Sequence, residues 1–171
     1  MKIRDISLCG LFAALLALCA WISVPLLGVP VTFQSLGLQL ALLLLGGKRG
    51  CLAIFVYLCL GAMGLPVFSG FHGGFSSLFG PTGGYLWGFL AGGLLYWCIT
   101  ALWKAAPKLP IAVVVQLVCY LCGMLWFFFQ FSGGQSLWSV FLTTVAPFLL
   151  PDGIKLLLAY LLSHRLQRHI P

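Results

Sequence analysis

Charged residues are almost missing from this chain, and where they occur most stand in pairs between long apolar runs. Lys2/Arg4, Lys48/Arg49, Lys104/Lys108 and Arg165/Arg168 are such pairs. Of the 171 residues 62% are hydrophobic and 6% charged, against about 45–50% and about 25% in an ordinary soluble domain. A chain this apolar cannot cover a water-facing surface with polar groups, and it is too hydrophobic to stay disordered. At about 20 residues per membrane-spanning helix, its apolar content fills roughly five or six spans joined by short loops. No separate soluble domain of usual size fits into what remains. The sequence therefore predicts one all-α integral membrane domain over residues 1–171.

The apolar runs place helices at about 5–23, 34–46, 49–64, 83–103, 110–131 and 144–166. The second and third are short for a span and could form a re-entrant hairpin with Lys48/Arg49 at its tip. Charge decides for six spans. With both termini on one side, eight of the nine basic residues fall on that side. The opposite loops, about 24–33, 65–82 and 132–143, hold no Lys, Arg, Asp or Glu. This asymmetry marks the basic side as cytoplasmic, at the plasma membrane. The net charge of +7 is thus a set of loop anchors, with no basic stripe for nucleic acid. The basic start and first apolar run resemble a signal peptide, but Trp21-Ile22-Ser23-Val24-Pro25 offers no small-residue cleavage site. It reads as a retained helix.

The seven cysteines all lie in apolar stretches and read as small buried hydrophobes. Cys119-x-x-Cys122 sits inside a helical run without further ligands, so a redox or zinc role is disfavoured. Gly84, Gly88 and Gly92 recur on one face of the fourth span and fit close helix packing. Ala13 and Ala17 form a second small-residue stripe, read as internal packing or as a docking face for another subunit. The external loops are unexpectedly apolar. Pro25, Val29, Pro30, Val31 and Phe33 occupy the first, and Phe68, Phe71, Phe75 and Phe79 the second. These loops are expected to fold inward as a cap.

The chain has two acidic residues. Asp5 lies among cytoplasmic charges. Asp152 lies with Lys155 inside the last apolar run, three residues apart and so on one helix face. An ionisable group at membrane depth is a functional-site hypothesis by default. Gln34 follows Pro30-Val31-Thr32-Phe33 at the rim of the cap, where its amide bonds a ligand or caps the helix; Gln39 lies a little further along the second span. Gly80-Pro81-Thr82-Gly83-Gly84-Tyr85 opens the fourth span, with Thr82 as N-cap and the glycines leaving backbone N–H groups accessible to an anion or carbonyl. Gln34, Gly80, Pro81, Thr82, Tyr85, Asp152 and Lys155 thus form a candidate site near the external half of the membrane. An apolar site with a few convergent polar groups suits one small amphipathic molecule. An acid beside a lysine suits a ligand bearing N–H donors and a carboxylate.

These residues resemble the biotin-specific S component of energy-coupling factor (ECF) transporters, the BioY family. The resemblance covers nearly the whole chain. It rests on Pro30-Val31-Thr32-Phe33-Gln34, Gly61-Ala62-Met63-Gly64-Leu65-Pro66-Val67-Phe68, Gly80-Pro81-Thr82-Gly83-Gly84-Tyr85-Leu86, and Pro147-Phe148-Leu149 leading into Asp152-x-x-Lys155. It implies an S-component-like bundle of six transmembrane helices, with biotin captured at the external face. It also implies a coupling subunit and two cytoplasmic ATPases as partners, with Ala13-x-x-x-Ala17 as docking motif. Asp152 would accept a ureido N–H, Gln34 or the Thr82 region would serve the ureido carbonyl, and Lys155 would pair with Asp152 or reach the carboxylate. The chain departs from the family in carrying Pro151 before Asp152, which suits the first turn of a broken sixth helix. No cofactor is implied, since biotin is cargo. The chain lacks G-x-x-x-x-G-K-[ST], so ATP hydrolysis by that route is excluded. An intramembrane enzyme is disfavoured, because there is no H-E-x-x-H and His164 and His169 do not share a helix face. A carrier of another vitamin, or a structural subunit, are the remaining alternatives.

Overall fold

The computed structural model describes residues 3–24 and 30–167. Lys2, Pro25, Val29, Arg168 and His169 lie outside the described residues. The fold is helical almost throughout. The elements are α1 (Ile3–Trp21), a hairpin of β1 (Ser23–Val24) and β2 (Val31–Thr32), α2 (Gln34–Leu45), α3 (Gly47–Ala62), a 3-10 turn (Ser69–Phe71), α4 (Phe75–Phe79), α5 (Gly83–Leu102), α6 (Lys108–Phe131), α7 (Leu137–Thr144) and α8 (Ala146–Leu166). Among the described residues four helices, α1, α5, α6 and α8, are long and apolar enough to cross a membrane. At 12 residues α2 is not, since it extends only ~18 Å.

Burial explains why α2 is short. Leu38, Gln39, Ala41, Leu42 and Leu43 are all at most 1% exposed and point in different directions around the helix. A helix apolar on every side is a core helix, and α2 is packed by α1, α3 and α8. The long helices instead turn Leu11, Leu18, Leu117, Leu121, Phe129, Leu150, Ile154 and Leu157 outward. An exterior this apolar belongs in lipid.

Several contacts gather the basic residues at one end of the bundle. Arg49, at the start of α3, pairs with Asp5 in the first turn of α1 at 3.0 Å. Gln167 Nε2, beyond α8, donates to Leu43 O near the end of α2 at 2.7 Å. Gly46 makes the α2–α3 turn possible, because its φ of 79° is in the region glycine tolerates. The α2–α3 hairpin thus reaches the same end as the start of α1 and the end of α8.

The glycine stripe on α5 does pack within the chain. A Cβ on Gly88 would stand 2.9 Å from the Cα of Cys119, and one on Gly92 would stand 2.8 Å from Val115. Gly88→Ala would have to push α5 off the backbone of α6. It is expected to cost about 1–3 kcal/mol, seen as a lower unfolding midpoint in detergent.

The structure corrects other expectations. Ala13 and Ala17 are 1% and 6% exposed, so their stripe packs against the core and is no outward docking face. Cys98 is exposed, unlike the other cysteines. The loops are not featureless, since 65–82 holds the 3-10 turn and α4, and 132–143 holds most of α7. Of the loop phenylalanines only Phe68 turns in, at 3% exposed, while Phe71, Phe75 and Phe79 stay more than half exposed. Pro151 lies inside α8, five residues after its first residue. The first-turn proline is Pro147, so Pro151 does not begin a broken helix.

Candidate functional site

A cavity of about 260 Å³ opens among β2, α2, the 65–82 segment, α5, α6 and α8. That is close to the lower end of the range for small-molecule sites, roughly 300–1,000 Å³. Gln34, Gly80, Pro81, Thr82, Tyr85 and Asp152 all line it, as the sequence led one to expect. Lys155 does not line the cavity. Its apolar wall is built from Phe68, Leu86, Phe89 and Phe148.

Asp152 sits 6% exposed and is fully engaged. Oδ1 accepts from Ser35 Oγ and from Lys155 Nζ, each at 2.8 Å. Oδ2 accepts from Tyr120 Oη at 2.9 Å and from Gln116 Nε2 at 3.1 Å. Four donors from three helices, one of them a lysine ammonium, thus satisfy both oxygens of this buried side chain. Lys155 also donates to Thr32 O at 2.7 Å and lies 5.3 Å from the centre of the Phe33 ring. The ammonium therefore ties the rim strand β2 to the carboxylate without itself lining the cavity.

Gln34 neither caps a helix nor hangs free. Its Nε2 donates to Tyr57 Oη at 2.6 Å and its Oε1 accepts from Thr32 Oγ1 at 3.1 Å. Thr82 occupies the N-cap position of α5 but makes no side-chain capping bond. Packing requires its neighbours Gly83 and Gly84 to be small. A Cβ on Gly83 would run into Leu78 O, and one on Gly84 into Trp126. Tyr85 Oη donates to Thr144 O at the α7–α8 break, and its ring leans on Phe148 at 6.2 Å. Trp126 Nε1 donates to Gly80 O at 3.0 Å, fixing the loop before α5.

Sequence reasoning missed Ser35, Tyr57, Gln116 and Tyr120. A signal was present. Gln116 is an isolated amide in a long apolar run, and Tyr120 follows it by one turn, on the same face. The mouth carries Ser69, His72, Ser76 and Ser77. The cavity is therefore two-ended, with a desolvated, ion-paired floor and a mouth of hydroxyls and one imidazole.

The BioY family model matches residues 1–171. The chain belongs to the BioY family. It is 39% identical over 167 residues to a probable biotin transporter BioY of Pyrococcus horikoshii, covering 98% of each chain. It is 39% identical over 166 residues to the biotin transporter BioY of Thermotoga maritima, covering 96% of each. Its fold matches the crystal structure of the S component for biotin from an ECF-type ABC transporter, with a TM-score of 0.85 and 25% identity. That match covers 98% of this chain and 92% of the other. In BioY terms, Asp152-x-x-Lys155 is one charged unit on α8, of which only the acid reaches the cavity.

Proposed function

We propose that the chain is the substrate-capturing S component of an ECF vitamin transporter, and that its substrate is biotin. The observation that carries the reading is the buried Asp152, paired with Lys155, at the floor of a cavity walled by Phe68, Leu86, Phe89 and Phe148, in a BioY-family fold. Biotin offers what such a cavity needs: a fused apolar ring system, a ureido group with N–H donors, and a carboxylate on a flexible tail. The ureido N–H groups meet Asp152 Oδ2, taking over from donors of the empty site. Gln34, already polarised by Tyr57, serves the ureido carbonyl with Thr82. The carboxylate lies at the mouth, among Ser69, His72, Ser76 and Ser77. Lys155 is spent on Asp152 and Thr32, so it holds the acid and the rim in place. Phe68, Phe89 and Tyr85 pack the rings.

In this reading α1, α5, α6 and α8 span the membrane, the shorter α2 and α3 packed among them complete a six-helix transmembrane bundle, and both termini and the basic end are cytoplasmic. The cavity then faces outside. The partners in this reading are an ECF coupling subunit and two cytoplasmic ATPases. With Ala13 and Ala17 buried, the outward small residues of α1 are Ser7, Gly10 and Ala14. A Cβ at Gly10 meets no atom within 4 Å. Gly10→Leu is therefore expected to leave biotin binding unchanged and to abolish capture by the coupling subunit. Co-purification with the energising module, beside ligand titration, tests this.

The direct test of the function is isothermal titration of biotin into the purified chain in detergent, with thiamine and riboflavin in parallel. One-to-one binding of biotin alone is the expected result. A well-folded chain that ignores biotin overturns the assignment.

A further inference from the structure

Gln39 is 1% exposed and does not touch the cavity. Its Nε2 donates to two acceptors of one turn of α6: Ala112 O at 3.1 Å and Gln116 Oε1 at 3.4 Å. Its own Oε1 is, among the described residues, a buried side-chain atom with no hydrogen-bond partner. A side chain placed for packing alone would not carry a buried amide with one end unmet. The question is what the other end is for.

A primary amide has a donor end and an acceptor end of nearly the same size. For Gln116 the choice of end matters, because its Nε2 faces Asp152 Oδ2. Turned round, it would set a carbonyl oxygen against a carboxylate. The Ala112 carbonyl removes the ambiguity. It is backbone and accepts only, so Gln39 must point its N–H groups toward α6. Reversing Gln39 would crowd its oxygen against Ala112 O and Gln116 Oε1. With Gln39 held, Gln116 must turn its oxygen to Gln39 and its N–H to Asp152. Polarity thus runs from a fixed backbone carbonyl through two amides to the acid on the cavity floor.

We propose that Gln39 is a positioning residue for the ligand site, fixing the direction of the Gln116 amide. This rests on the reading that Asp152 receives the ligand's N–H donors. When a ligand takes Oδ2, the carboxylate's own hold on Gln116 loosens. Gln39 then keeps the amide aimed for the return, and keeps Gln116 Oε1 from offering a competing acceptor at the floor. The oxygen left without a partner is the consequence of this orientation.

The test is a double-mutant cycle on the full chain in detergent, with biotin titration and thermal unfolding of the empty protein as readouts. Gln39→Met is expected to weaken biotin about three- to tenfold. The empty chain should unfold at an unchanged midpoint, because one unmet oxygen is removed and another, on Gln116 at the cavity wall, reaches water. In a Gln116→Met background the same change should have no further effect on affinity. Full binding by Gln39→Met, a loss that simply adds to that of Gln116→Met, or a parallel fall in the midpoint, each overturns the role. Gln39→Leu carries the same comparison where methionine is not tolerated. A wild-type chain that fails to bind biotin overturns the ligand reading itself; wild-type binding with additive losses overturns the role of Gln39 alone.

Discussion

Asp152→Asn is expected to lower biotin affinity about 100- to 1,000-fold, or about 3–4 kcal/mol, while the chain still folds and inserts. Asparagine keeps the shape of the acid and loses half of its accepting capacity. Ser35 and Lys155 reach Oδ1, and Gln116 and Tyr120 reach Oδ2. Whichever position takes the NH₂ group meets two donors with a third. The ligand's N–H groups then find a neutral oxygen at best. A site built on matched polar groups loses far more from such a change than an apolar pocket loses from a missing methylene. Titration of the purified variant decides the matter. Wild-type affinity would remove Asp152 from the site.

Lys155→Met should act first on stability. Breaking one partner from a buried ion pair costs about 3–5 kcal/mol, because the other charge stays behind uncompensated. Here the carboxylate would keep three neutral donors and lose its only cation, and Thr32 O would lose its ammonium. The expected result is a marked fall of the unfolding midpoint in detergent. Adding Asp152→Asn to Lys155→Met removes the stranded charge and should restore much of that stability without restoring binding. An unchanged midpoint in the single variant would mean that the pair is screened, contrary to its burial.

The sequence made the lipid-facing fold legible because charge was confined to loop ends. The Lys48/Arg49 pair in particular placed the α2–α3 turn beside the start of α1, where Arg49 meets Asp5. It also placed Asp152, Gln34 and the 80–85 segment on one cavity, since polar groups in an apolar chain have few places to go. Other features depend on helix rotation, which spacing alone does not set. Ala13 and Ala17 lie one turn apart, as an outward stripe would, yet face the core. Lys155 shares a face with Asp152, yet its longer stem carries the ammonium past the cavity to Thr32. Ser35 escaped attention, and Gln39 stood out without a role, because each needs its partner on α6 or α8 to be known before it means anything. Thr82 looked like a cap because sequence shows a residue type and not where its hydroxyl points.

The Lys155 tether reaches beyond binding strength. It joins the acid on α8 to the backbone of the rim strand through a single ammonium. The rim cannot swing away from α8 without parting that ammonium from one of its two oxygens in a medium that solvates ions poorly. Opening is therefore an activated event whose barrier is written into the carrier itself. Under the proposed function, that barrier is what any cargo held beneath the rim must wait for before it leaves.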